Sequence, residues 1–271
     1  MADVVTSAAN PLVKRMRLLA DRKHRRREGA FVVQGIQPVW QAVEAGAEVE
    51  VLIVAPGLLR HPGAAAMVSA QEAAGIRVAR LSDELFGRIA DRDGPSGLAA
   101  IVRSAWSPLA SLRSGRDTVI AALHQAGNPG NLGTIIRTAS AAGATGVVLI
   151  GASADPYDPA AVKASMGALF TVPVVTASAA EFQQWAAASG VRVAAASGRA
   201  SVSCWEADLR PPLALLFGSE GTGLPGDLLA AADLRVAIPM TGTAESLNLA
   251  VAAGILLYEV RRQAGMPASG R

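Results

Sequence analysis

The chain is 271 residues long, 51% hydrophobic and 17% charged, with a formal net charge of +3, which suits two ordinary domains better than one large core. A single cysteine, Cys204, excludes an intramolecular disulfide framework and fits a reducing compartment. The opening MADVVTSAANPLVK has no charged segment followed by an apolar run, and no uninterrupted 18-residue apolar stretch occurs elsewhere, so a soluble cytoplasmic protein without a membrane partner is expected.

In chain order, Asn10-Pro11 suits a helix start, and Leu12, Met16, Leu19 and Ala20 recur at helical spacing. This predicts one amphipathic helix with its basic residues turned outward. Between Lys14 and Glu28 eight basic residues face only Asp21 and Glu28, a local charge of +6. Lys14, Arg15, Arg22, Lys23, Arg25, Arg26 and Arg27 are therefore candidate contacts to a phosphate backbone, the alternative being a solvated helix face. AFVVQ, VEVLIVA, IRVARL and GLAAIVR predict short strands, with helices at about 36–46, 63–74 and 82–90 between them. Residues 1–103 thus form a small α/β domain. SAWSPLASLRSGRD, residues 104–117, lacks periodicity and makes the linker.

The second domain, 118–271, alternates apolar runs bounded by Gly or Pro (TVIAAL, GVVLIG, VRVAAA, LALLFG, RVAIPM) with helical stretches at 131–142, 160–168, 179–189, 225–231 and 246–263. That pattern predicts an α/β fold with a five-stranded parallel sheet, whose ligands lie outside the carboxyl ends of the strands. The last helix, NLAVAAGILLYEV, is small and apolar on nearly every face, so something covers both its sides.

Three segments follow predicted strand ends: GNPGNLGTIIRTA (127–139), LLFGSEGTGLP (215–225) and IPMTGTAESLNLAVAAGILLYE (238–259). Gly218, Gly221 and Gly223 let backbone approach a ligand, and Glu220 is the only charge in their turn. The glycine spacing matches neither nucleotide-phosphate motif, and an acid there repels an anion, which disfavours NAD and ATP and is compatible with a cationic sulfonium. Asn131 falls at the mouth of a helix and Arg137 about two turns along it. In so apolar a stretch Arg137 serves either a structural ion pair or a substrate phosphate. Ser246 suits the N-cap of the last helix. His24, His61 and His124 stand alone, so no metal is expected, and Cys204 reads as a buried structural thiol.

In order and character the three segments resemble the signature motifs of the SpoU (TrmH-type) RNA ribose 2′-O-methyltransferases of the SPOUT superfamily, over residues 118–260. More weakly, SAANPLVKRMRLLADRKHRRREGAFVVQG resembles their N-terminal substrate-binding domain, departing from it where Gln34 replaces the usual Glu. The resemblance implies a C-terminal parallel-sheet domain with a deep trefoil knot, a homodimer whose interface includes the last helix, and S-adenosyl-L-methionine bent within the knot. The cofactor pocket would be lined by Leu216, Gly218, Glu220, Gly221, Ile238, Met240, Leu247 and Asn248. The catalytic set would be Asn131, Arg137, Glu220, Ser246 and Asn248. Arg137 would bind the phosphate beside the target ribose, and whether it also accepts the proton stays open. Lys163 would contact RNA, or be a solvated helix lysine. The expected activity is 2′-O-methylation of RNA, with 23S ribosomal RNA the first candidate. The alternatives are transfer RNA, or a non-catalytic RNA- or ribosome-binding protein that kept the knot.

Overall fold

The computed structural model describes residues 4–90 and 94–265. Along the chain run α1 (Pro11–Leu18), α2 (Arg22–Glu28), β1 (Ala30–Gln34), α3 (Ile36–Glu44), β2 (Val49–Val54), α4 (Pro62–Ala73), β3 (Arg77–Arg80), α5 (Asp83–Ile89) and β4 (Leu98–Arg103). There follow β5 (Val119–His124), α6 (Pro129–Ala142), β6 (Gly146–Ile150), α7 (Pro159–Ser165), β7 (Val174–Ala177), α8 (Ala179–Ser189) and β8 (Arg192–Ala196). The remainder comprises β9 (Val202–Ser203), β10 (Leu213–Phe217), α9 (Gly226–Ala231), β11 (Leu234–Ala237) and α10 (Leu249–Gln263). Two compact units result. One is Met1–Ala105 with Tyr157–Thr171, the other Trp106–Pro156 with Val172–Arg271. Tyr157–Thr171, which the sequence reading ran continuously through the second domain, packs with the first unit.

The first unit holds a four-stranded sheet in the order β1-β4-β2-β3, parallel only between β2 and β3. Its core joins Leu12, Val13, Met16 and Leu19 to Ile53, Leu81, Phe86 and Ile101. The single basic helix expected here is two helices. The first ends at Leu18 with Leu19 as its C-cap, and Asp21 caps the second by accepting from the Lys23 and His24 amides, an N-cap preference that starts a new helix although the apolar spacing runs on. The break also turns Arg25 inward. Arg25 is 3% exposed, donates to the Leu19 and Ala20 carbonyls at 3.1 and 2.7 Å, and pairs with Asp158 at 3.3 Å. Arg15 sits between Glu28 at 2.8 Å and Glu50 at 2.6 Å, and its guanidinium holds the Glu28 carboxyl below the ordinary range. Arg15 and Arg25, both assigned to the outward face from sequence, are thus occupied by the fold. Lys14, Arg17, Arg22, Lys23 and Arg26 are exposed without an ion pair among the described residues.

The second unit holds seven described strands rather than five, in the order β7-β6-β5-β10-β8-β11-β9, every pair parallel. The two missed strands are edge strands of four and two residues, VVTA and VS. Phe182 and Ala186 of α8 and Leu228 of α9 pack on the face carrying Ile120, Val148, Val175 and Leu216. α10 packs on α6 and β10. Cys204 is fully buried, and burial pushes its thiol pKa up, which suits a structural role.

Candidate active site

Three loops leave the carboxyl ends of parallel strands β5, β10 and β11, where ligands of open parallel sheets bind. After β5 the backbone turns at Gln125, in the left-handed region at φ 52°, and Asn128 caps α6 by accepting from the Asn131 amide at 3.0 Å. After β10 the chain closes a tight turn in which Ser219 and Gly223 exchange backbone hydrogen bonds of 3.2 and 3.0 Å. The Ser219 and Thr222 hydroxyls meet at 2.8 Å across it, and Gly223 takes φ 69°. A Cβ on Gly218 would stand 2.1 Å from the Gly223 carbonyl carbon, so only glycine lets this turn fold back on its own strand. After β11, residues 238–247 lead to Asn248, which caps α10 by accepting from the Ala250 and Val251 amides.

One side chain joins the three loops. The Asn131 amide donates to Glu220 Oε1 at 3.0 Å, while its carbonyl oxygen accepts from Asn248 Nδ2 at 3.2 Å. A side-chain amide donates from its nitrogen and accepts at its oxygen, which is what a bridge between a carboxylate and a second amide requires. Of the apolar residues expected to line the pocket, Leu216 is buried, Ile238 is partly buried, and Met240 and Leu247 are exposed at 38% and 37%. An apolar surface for a flat heterocycle, a glycine turn with free backbone groups and a single carboxylate suit a ligand with an adenine-like ring and a positive centre. They do not suit a polyphosphate.

Arg137 lies six residues after Asn131 on α6, on the exposed stripe with Thr134, while Ile135 and Ile136 are buried. Its side chain makes neither ion pair nor hydrogen bond among the described residues, which removes the structural ion pair weighed from sequence. Such a guanidinium is open to a planar anion from outside, a phosphate above all. The capping role expected of Ser246 belongs to Asn248, since α10 starts three residues later than anticipated. Ser246 is exposed and makes no hydrogen bond among the described residues. Lys163 stands on α7, in the first unit. Sequence reasoning passed over Asn128, although an Asn before Pro-Gly is a cap signal. It dismissed His124 as a metal ligand without noting its burial: the residue is 9% exposed at the end of β5, and its Nδ1 is buried without a partner among the described residues.

Comparison with known proteins agrees with this arrangement. Residues 118–258 match the SpoU rRNA Methylase family, and residues 10–100 match an MRM3-like substrate binding domain. The chain is 30% identical over 257 residues to the 23S rRNA (guanosine(2553)-2′-O)-methyltransferase RlmP of Bacillus subtilis, covering 95% of this chain and 98% of that protein. It is 32% identical over 252 residues to a 23S rRNA (uridine(2479)-2′-O)-methyltransferase of Streptomyces viridochromogenes, covering 91% and 87%. An AdoMet-bound rRNA methyltransferase from Sinorhizobium meliloti superposes with a TM-score of 0.88 at 36% identity, over 96% of this chain and 97% of the other. The loops joined by Asn131 are the three segments that carried the resemblance, and the chain belongs to the SpoU family of RNA methylases.

Proposed function

We propose that this protein transfers a methyl group from S-adenosylmethionine to a ribose 2′-hydroxyl of 23S ribosomal RNA. The observation that carries the reading is the Asn131 bridge from Glu220 to Asn248, which gathers three loops at the strand ends beside an unpaired arginine. Held there, S-adenosylmethionine would supply a methyl group carried on a sulfonium, with a neutral thioether as the leaving group. The chain's own residues then position the reactants. Leu216, Ile238, Met240 and Leu247 receive the adenine, and the turn from Gly218 to Gly223, Gly221 included, presents backbone groups. Glu220 and Asn248, held by Asn131, keep the second and third loops in register. Arg137 grips the phosphate next to the target ribose and sets its hydroxyl in line with the methyl carbon. So aligned, the hydroxyl oxygen would accept the methyl group, its proton passing to solvent or a neighbouring base. Guanidinium has no acceptor lone pair, so Arg137 serves as clamp. Ser246, exposed and without a partner, is a substrate contact on this reading.

Ribosomal RNA is favoured over transfer RNA because the relatives named for 23S rRNA match this chain across both domains, the N-terminal unit included. A non-catalytic descendant would have no use for an arginine kept solvent-facing and unpaired beside a cofactor site. The reading brings with it the family's deep trefoil knot, a cytoplasmic location and the domain division at 104–117. Incubating the protein with radiolabelled S-adenosylmethionine and deproteinised 23S rRNA is expected to place label in alkali-resistant dinucleotides. Label that fails to appear, or that appears in bases, would refute it.

A homodimer is part of the same reading. Leu247, Val251, Ile255 and Tyr258, on and just before α10, are 37–51% exposed. Their spacing makes one apolar stripe along the helix, of the kind a partner covers. Changing Ile255 and Tyr258 to Glu is expected to convert the protein to monomer in sedimentation. A wild-type protein that sediments as a monomer would contradict the dimer.

Basic side chains free of internal partners should carry the electrostatic share of RNA binding. Replacing Arg22, Lys23 and Arg26 with Ser is expected to flatten the log–log salt dependence of RNA affinity by roughly one unit for each phosphate no longer neutralised. S-adenosylmethionine affinity should be unchanged. An unaltered slope across a salt series would make this surface merely solvated.

A further inference from the structure

A cleft of about 840 Å³ opens within the first unit, lined from α1, β1, α3, α5, β4 and α7. Its volume falls in the roughly 300–1,000 Å³ range of small-ligand sites. Met16, Phe86 and Met166 supply apolar and polarisable surface, and Gln34 supplies an amide. Arg17 and Lys163 are its cations, and no acid is among the described residues that line it. Its backbone is constrained where a ligand would press. Met166 holds φ 51°, a left-handed conformation costly for a side chain of its size, and Gly35 and Gly94 hold φ 106° and 98°.

We propose that this cleft receives one unpaired nucleotide of the RNA, base inward against Met16, Phe86 and Met166, with its phosphate on Arg17 and Lys163. The site rests on the RNA-methylating reading above and adds to it a place where the N-terminal unit takes hold of a single base. Charge selects the occupant. Arg17 lines the cleft and is itself exposed, as are Lys14 on the same helix and Arg22, Lys23 and Arg26 on the next. A strand held by these cations would bring a phosphate to Arg17. A largely apolar cleft with cations, and without an acid among its described lining residues, suits a splayed base better than a peptide, and sequence-tolerant reading of RNA works on unstacked bases of this kind.

The test is crosslinking of the full-length protein to a 23S rRNA transcript carrying 4-thiouridine, with mass-spectrometric mapping. Crosslinks are expected in peptides containing Met16, Phe86 or Met166. Two variants at exposed positions accompany it. Ala160→Trp fills the cleft and Arg17→Glu reverses its charge, and each is expected to weaken RNA affinity by about tenfold, in line with the loss of one stacked base. Both should keep native circular dichroism. The cleft crosslinks should vanish in Ala160→Trp while crosslinks to the basic helices persist. Crosslinks confined to other surfaces, the outcome if a peptide or small metabolite is the true occupant, would overturn the proposal, as would wild-type affinity in both variants. Methyl transfer does not enter this readout. Transfer without cleft crosslinks sinks only the cleft, and cleft crosslinks without transfer sink only the enzymatic reading.

Discussion

Gly218→Val is expected to reduce S-adenosylmethionine binding by roughly ten- to hundredfold, the equivalent of about 1–3 kcal/mol of overpacking strain spent on opening the turn. An added Cβ would lie 2.1 Å from the carbonyl carbon of Gly223, 2.4 Å from its oxygen and 2.4 Å from the Leu224 nitrogen. All three are backbone atoms, so no side chain can swing aside to relieve the clash. The strand before the turn is fully paired and buried, so the damage should stay in the loop, with native circular dichroism preserved. Gly221 gives the contrast, because a Cβ there meets nothing within 4 Å. Gly221→Ala should leave stability unchanged and weaken binding only by touching the ligand itself. Titration calorimetry on both variants separates the two effects. Wild-type affinity in a folded Gly218→Val would remove this turn from the cofactor site.

Arg137→Ala should lower turnover by ~10² or more while leaving S-adenosylmethionine affinity nearly intact, because its proposed role is to place a substrate hydroxyl. With no internal partner to strand, the substitution should also cost almost no thermal stability, unlike one that unpairs a buried charge. Arg137→Lys should recover only part of the rate, since a single ammonium cannot reproduce a bidentate fork on phosphate. Single-turnover methylation with calorimetry in parallel checks both. Near-normal methylation by the alanine variant would take Arg137 out of the mechanism.

Much of the site is legible in the sequence because it is written in loops. Gly218, Glu220, Asn131 and Asn248 are polar or glycine residues punctuating apolar runs, and such punctuation survives in a linear reading. What escapes depends on geometry. Leu12, Met16 and Leu19 keep their helical phase up to the Asp21 break, so periodicity alone joins two helices into one. Arg25 is chemically identical to its neighbours, and only its position on the short second helix turns it towards the Leu19 and Ala20 carbonyls. Ser246 and Asn248 are both good caps, and which one serves is decided by where the last loop lets the helix begin. VVTA and VS are too short to separate from loop by composition, yet each finds a parallel neighbour at the end of the sheet.

The Asn131 bridge spans 89 residues of chain to Glu220 and 117 to Asn248. Pairings so distant along the sequence close late, after the intervening chain has been ordered. During synthesis residue 131 therefore waits, first helix and first loop formed, for the last loop to emerge. A growing chain has the look of a methylase long before it has a site to bind with. Competence arrives as a single late event, so on the proposed function a partly made protein that had already bound RNA would have no assembled centre with which to modify it.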